Sequence, residues 1–383
     1  MTSGLLPLLQ VLRNPGSMSG MSDDAWDLVL RQAASAGLLG RLGALATQMC
    51  PSEDLPAAAK TRMQSAMTLA GQQHRAVVWE LAQLSRAMAD LQGPVVLLKG
   101  AAYTAAGLAP AAGRTFSDID ILIPKTQLDA AEAALMLHGW HGNHHDAYEQ
   151  RYYRDWMHEL PPMTHIARQT VLDLHHNILP ETARIKTRPD LLIAAARPLA
   201  DHPRFSIPCP TDQVLHSTTH LFHEGEWGHG LRDLVDLDAL LREYGRSPGF
   251  WNDLLGRARE LGLGKPLFYG MRYCHRLLET PIPRETMEKC PQRPSPLAAW
   301  IMDRLFLPAF GTAHHTGHTT LSGVASLCLY VRSHWLRMPL GLLLPHLAKK
   351  SWQRRIKPLL DKPQGEVQVG MGGPPARSND MPP

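Results

Sequence analysis

Charge, aromatic rings and cysteine are all scarce in this chain. Asp, Glu, Lys and Arg make up 19% of its 383 residues, and Phe, Trp and Tyr 6%. Lys and Arg (39) nearly balance Asp and Glu (35), leaving a formal net charge of +4. So small an excess provides no molecule-wide field for coating a polynucleotide, although a local basic patch remains compatible with it. The five cysteines (Cys50, Cys209, Cys274, Cys290 and Cys328) are odd in number and form no CxxC. That argues against a disulfide framework or a cysteine zinc knuckle, and fits a reducing, cytoplasmic setting. No run approaches about 18 consecutive apolar residues, so no membrane-spanning helix is expected. The first twenty residues, MTSGLLPLLQVLRNPGSMSG, lack the basic start and apolar centre of a signal peptide.

Apolar residues are abundant, at 44%. A disordered chain would be less apolar and more highly charged, and this length can bury a large core. Up to about residue 92 the pattern is helical. Ser22-Asp23-Asp24 offers capping oxygens ahead of Trp26, Leu28, Val29, Leu30 and Ala33. A stretch from Leu55 to Leu91 predicts one long helix or two stacked ones, ending at Gly93-Pro94. The texture then changes. Val95-Val96-Leu97-Leu98 reads as a short buried strand, Ala101 to Leu108 as a helix, Ser117 to Ile123 as a strand, Thr126 to His138 as an amphipathic helix, and Thr170 to His175 as a third strand. Beyond Ile178 the sequence returns to helical periodicity, clearest over 212–223 and 231–244 and continuing over 255–278, 297–306 and 321–331. The expectation is an α+β protein. A small mixed-sheet core over 93–180 is flanked by helical regions over 1–92 and 181–362, with a disordered Pro/Gly-rich tail over 363–383.

The most informative segment is Ser117-Asp118-Ile119-Asp120-Ile121-Leu122-Ile123. On a strand Asp118 and Asp120 share one face, with Cα atoms about 7 Å apart, while the isoleucines enter the core. Two adjacent carboxylates repel unless a cation sits between them, and ligands made only of oxygen favour Mg²⁺ or Mn²⁺. If the third strand pairs alongside, Asp173 joins them, and three carboxylates can bridge two metals about 4 Å apart for in-line nucleotidyl transfer. The bland reading is that Asp118 and Asp120 cap a turn or face solvent. Context weighs against it. The first strand ends in Leu98-Lys99-Gly100-Ala101 and opens a helix, where glycine admits a phosphate close to the backbone. Lys99 and Arg114 are cations that could neutralise phosphates, or could be surface charges.

These residues resemble a family. The run Val96 to Ala102, Arg114, Ser117 to Pro124, His138-Gly139-Trp140 and Val171 to His176 is similar to the bacterial uncharacterised nucleotidyltransferase family of the polymerase-β-like superfamily. The segment from His216 to Leu237 resembles that family's helical C-terminal part, and the likeness is good over about 91–245. It implies a nucleotidyltransferase fold, an enzyme binding an NTP such as ATP, and Mg²⁺ (or Mn²⁺) held by Asp118, Asp120 and Asp173. Lys99, Gly100, Arg114 and Ser117 would bind the nucleotide. The superfamily's usual Gly-Ser is Gly100-Ala101 here, so no serine hydroxyl follows the glycine.

The twenty histidines are the other surplus. His216, His220 and His223 fall within an arc of about 60° on a helix, opposite Val214, Leu215, Thr218, Leu221 and Phe222. They could bind zinc, contact substrate from across the cleft, or form a polar face. His175 points the same way as Asp173 and is a further candidate substrate contact. Arg232, Asp233 and Asp236 read as an ion network packing a helix onto the sheet. The basic stretch Lys349 to Lys357 reads as a solvated helix end, a weak peripheral membrane contact or an RNA contact. The favoured activity is transfer of a nucleoside monophosphate to an unknown hydroxyl or phosphate acceptor. A small molecule, peptide or protein is favoured over long nucleic acid. The alternatives are a catalytically inactive nucleotide-binding scaffold and a histidine-based metallohydrolase.

Overall fold

The computed structural model describes residues 6–142, 147–223, 225, 227–311, 314–317, 320–339 and 341. In chain order the elements begin with helices α1 (Pro7–Arg13), α2 (Asp23–Ser35), α3 (Leu39–Met49) and α4 (Ala57–Ala87). Then come β1 (Val95–Leu97), α5 (Lys99–Ala105), β2 (Asp118–Leu122), α6 (Leu128–Leu137), β3 (Trp140–Gly142), α7 (Ala147–Trp156), β4 (Met163–His165) and β5 (Val171–His175). After α8 (Pro189–Ala194) the strands β6 (Arg197–Leu199) and β7 (His202–Ile207) complete the sheet. The helices α9 (Pro210–His223), α10 (Gly230–Tyr244), α11 (Phe250–Glu260), α12 (Gly264–Leu278), α13 (Arg284–Glu288), α14 (Pro296–Ala309) and α15 (Thr320–Arg337) follow. The fold is α+β, with a mixed seven-stranded sheet in the order β3-β4-β5-β2-β1-β7-β6.

Local chemistry accounts for many boundaries. Ser22 caps α2, its Oγ accepting the Ala25 N–H at 3.4 Å, with Asp23 and Asp24 in the first turn. The 57–87 stretch is one 31-residue helix. The periodicity expected to run through 255–278 is broken by Gly262 in the left-handed region (φ +68°), which ends α11 and lets α12 start at Gly264. The expected return to helices beyond Ile178 is corrected by β6 and β7. β7 runs parallel to β1, pairing Val95 with Phe205, and so extends the sheet.

The two sheet faces carry two cores. Val95, Leu97, Ile119, Ile121, Ile123, Leu172, Leu174 and Phe205 pack against the second half of α4 and against α6. Val96, Leu98 and Leu122 face the other way, into a larger core shared by α1–α3 and α9–α12. Asp118 and Asp120 alternate with the isoleucines of β2, so their face is the one the C-terminal helices cover. The described residues up to Pro339 form one compact unit. The apolar run at 340–347, the basic stretch from Lys349 to Lys357, the 363–383 tail, His144-His145 and His318 lie outside the described residues, apart from residue 341. Among the described residues no helix is long and apolar enough to cross a membrane.

Candidate active site

β2 and β5 are parallel neighbours, and their register sets Asp118 opposite Val171 and Asp120 opposite Asp173. The third carboxylate therefore stands beside the second. Asp120 is buried. Its Oδ1 accepts from Lys99 Nζ at 3.1 Å and lies 3.0 Å from His175 Nε2. Burial disfavours its charge, but Lys99 and the His175 hydrogen bond outweigh this and hold it well below the usual carboxylate range. Asp118 is pushed the other way, by burial and by Asp120 beside it. Asp173 is pushed up to about 7 by burial, then by Asp120 and Glu159. Its Oδ1 is buried and has no hydrogen-bond partner.

His175 lies between two acids. Its Nδ1 is 3.2 Å from Glu159 Oε2, and although burial opposes the imidazolium, Glu159 and Asp120 raise its pKa. The chain just before β4 brings Glu159 there by pairing antiparallel with the end of β5 in a Glu159–His175 bridge, with Leu160 N–H on the Leu174 carbonyl at 2.9 Å. Ligand atoms of Asp120, Asp173 and His175 lie within 4.8 Å of one another. Buried, oxygen-rich and with one carboxylate oxygen unpartnered, this set is compatible with a divalent cation.

Above Asp118 and Asp120 opens a cleft of about 190 Å³, lined also by Lys99, Gly100, Arg114, Ser117, His220, Arg232 and Asp236. A larger cavity of about 890 Å³ lies along α3 and α4, but it has one cation, Lys60, and no carboxylate, so the polar cleft is the better candidate. Lys99, at the strand-to-helix turn, takes φ +43°, costly for a residue with a side chain. Gly100 has no room for a Cβ, which would meet Arg114 Nη1 and, at 2.8 Å, the Phe116 ring. Arg114 is buried and donates from Nε to Asp236 Oδ2 at 2.6 Å, while its Nη1 is left without a partner over Gly100. The helix α10 thus joins the sheet through the ion pair its acids were expected to make. Arg232 and Asp233 instead pair with each other, at 3.0 Å.

The histidine stripe is corrected in part. Helix α9 is buried on nearly all sides, so no solvated polar face exists. His220 lines the cleft. His216 does not line it, and burial followed by the nearby Lys99 pushes it down to about 3. The Nδ1 of His223 bonds the Thr219 carbonyl at 3.0 Å. Among the described residues the three do not make a metal-ligand group. Tyr103, Ser217, His229 and Glu159 were missed as site residues. Only the cross-strand bridge to His175 could have pointed to Glu159, and sequence periodicity does not encode such a bridge.

A carboxylate-bearing sheet face thus lies beneath helices, with a cationic strand-to-helix turn beside it. A family model described as uncharacterised nucleotidyltransferase matches residues 22–279, from the cap of α2 to the residue after α12. The chain belongs to that family and is a nucleotidyl-transferring enzyme. The match reaches well beyond the 91–245 likeness and takes in most of the N-terminal helices. No curated relative matches the chain.

Proposed function

We propose that the chain moves a nucleoside monophosphate from an NTP, ATP included, to a hydroxyl or phosphate acceptor, releasing pyrophosphate and requiring Mg²⁺ (or Mn²⁺). The observation that carries this reading is a pair of buried, unpartnered atoms of opposite polarity, one beside a carboxylate of the cleft and one at the cleft itself. They are Asp173 Oδ1 beside Asp120, and Arg114 Nη1 over Gly100 at the cleft. A cation satisfies the first and a phosphate oxygen the second.

Asp118, Asp120 and Asp173 would hold the divalent ions, which would neutralise triphosphate charge and acidify an acceptor hydroxyl. Lys99 and Arg114 would take phosphate oxygens, Gly100 would let them approach the backbone, and Ser117, exposed at the cleft, would donate its hydroxyl. The acceptor oxygen would form a bond to the α-phosphorus as the bond to the bridging oxygen breaks. A hydroxyl acceptor would pass its proton to the Asp173 carboxylate. His220, His175 and His216 are proposed to orient substrate, with His220 nearest the opening. The five cysteines, all free, support a cytoplasmic location as part of this proposal.

The test is incubation with each labelled NTP, Mg²⁺ and cell extract, followed by identification of what becomes labelled. A labelled small molecule, peptide or protein is expected, and no label with Asp118→Ala plus Asp120→Ala. A scaffold without activity would give no label with either protein, whatever the acceptor supplied.

A further inference from the structure

Three residues beyond His220 on α9, His223 lines a separate cavity of about 450 Å³. It is bounded by the chain at 184–186, the turn between α11 and α12, and the end of α15. Its charged residues are Arg184, Lys186, Lys265 and Arg332, and no carboxylate is among its lining residues. Arg332 is the informative one. Its Nη1 donates to the Phe222 carbonyl at 2.8 Å, and its guanidinium lies over the Tyr269 and Phe306 rings. Burial lowers its pKa. Three other arginines of limited exposure are neutralised by acids: Arg114 on Asp236, Arg168 on Glu80, Arg257 on Asp212. Arg204 has no acid but donates to three carbonyls, those of Met88, Leu91 and Gly93. Arg332 has no carboxylate in salt-bridge range among the described residues. A largely buried guanidinium with a carbonyl and two aromatic rings but no acid beside it is costly unless an anion completes it. Trp335, with Arg184 stacked 3.7 Å from its ring, gives the cavity an apolar wall.

We propose that this cavity binds the oxyanion of a small molecule, a phosphate or a carboxylate, with Arg332 and Lys265 on its oxygens and Trp335 against its body. The proposal does not rest on nucleotidyl transfer, because the cavity shares no lining residue with the cleft.

Calorimetric titration of the full chain with inorganic phosphate, and separately with citrate, tests it. Saturable millimolar binding of at least one is expected, and the arm that binds says which oxyanion the site prefers. Arg332→Gln should weaken it about tenfold or more, as loss of a charge-assisted contact does. Lys186→Gln and Lys265→Gln, both at exposed positions, should weaken it as well. Asp118→Ala plus Asp120→Ala should leave it unchanged. The proposal is overturned if neither anion binds wild type, if the Lys186 and Lys265 variants bind as wild type does, or if the aspartate variant loses the anion.

Discussion

At the scale of single residues, the site is built from side chains that leave no slack. Gly100 is the clearest case. A methyl there meets the Arg114 guanidinium and the Phe116 ring at once, and neither can retreat easily, since Arg114 is tied to Asp236 and Phe116 is buried. Gly100→Ala should therefore cost about 1–3 kcal/mol of stability, the usual penalty for overpacking. It should also weaken NTP binding by displacing Arg114 Nη1. Urea melts and nucleotide titration measure the two effects, and an alanine variant equal to wild type in both would show the contact to be slack. His223 makes a second residue-scale prediction. Burial, followed by Arg332 nearby, pushes its imidazole down to about 4, while the unfolded chain titrates near 6.5. The folded pKa is depressed, so the stability it contributes is full above about pH 6.5 and is lost as pH falls toward 4. That is roughly 3 kcal/mol across the window. Thermal melts at stepped pH should show the loss, and His223→Gln, which can still donate to the Thr219 carbonyl, should show less of it. Equal slopes for the two proteins would contradict the assignment.

At the scale of elements, Asp236 on α10 is the joint. It takes Arg114 from the approach to β2 at 2.6 Å, with Arg41 of α3 at 3.8 Å. Asp236→Ala leaves two enclosed guanidinium groups without their acid, and should destabilise by about 3–5 kcal/mol. Denaturant unfolding checks this, and a loss under about 1 kcal/mol would mean the network is incidental. The elements differ in how readable they were. β1, β2 and β5 announced themselves because a short apolar run, or a strict alternation of acid and aliphatic residues, has few other uses. β6 contains Pro198 at the sheet edge, and β7 reads His-Pro-Arg-Phe-Ser-Ile with one fully buried side chain, Phe205. β7 is a strand because β1 offers an edge and β6 because β7 then offers another, which no local pattern reveals. The same holds for α9. Its histidine arc was legible, but its burial by α10, α11, α12 and α15 follows from tertiary packing alone.

At the scale of the whole molecule, the three acids that looked isolated in the sequence lie where the sheet meets the helical layer, beneath α9 and α10. The N-terminal helices α1–α3 share that layer's core, and the family match takes in α2 and α3 from residue 22. The near-neutral total charge therefore conceals a segregated arrangement, with carboxylates on the sheet and Lys99 and Arg114 beside them. The central claim is that this junction binds a metal-complexed nucleotide. Calorimetric titration of NTP in the presence and absence of Mg²⁺ tests it most directly, with the Asp118→Ala plus Asp120→Ala protein run in parallel. Mg²⁺-dependent binding in wild type that is lost in the double variant is the predicted result. No binding by wild type, or binding that the double variant retains, would contradict it.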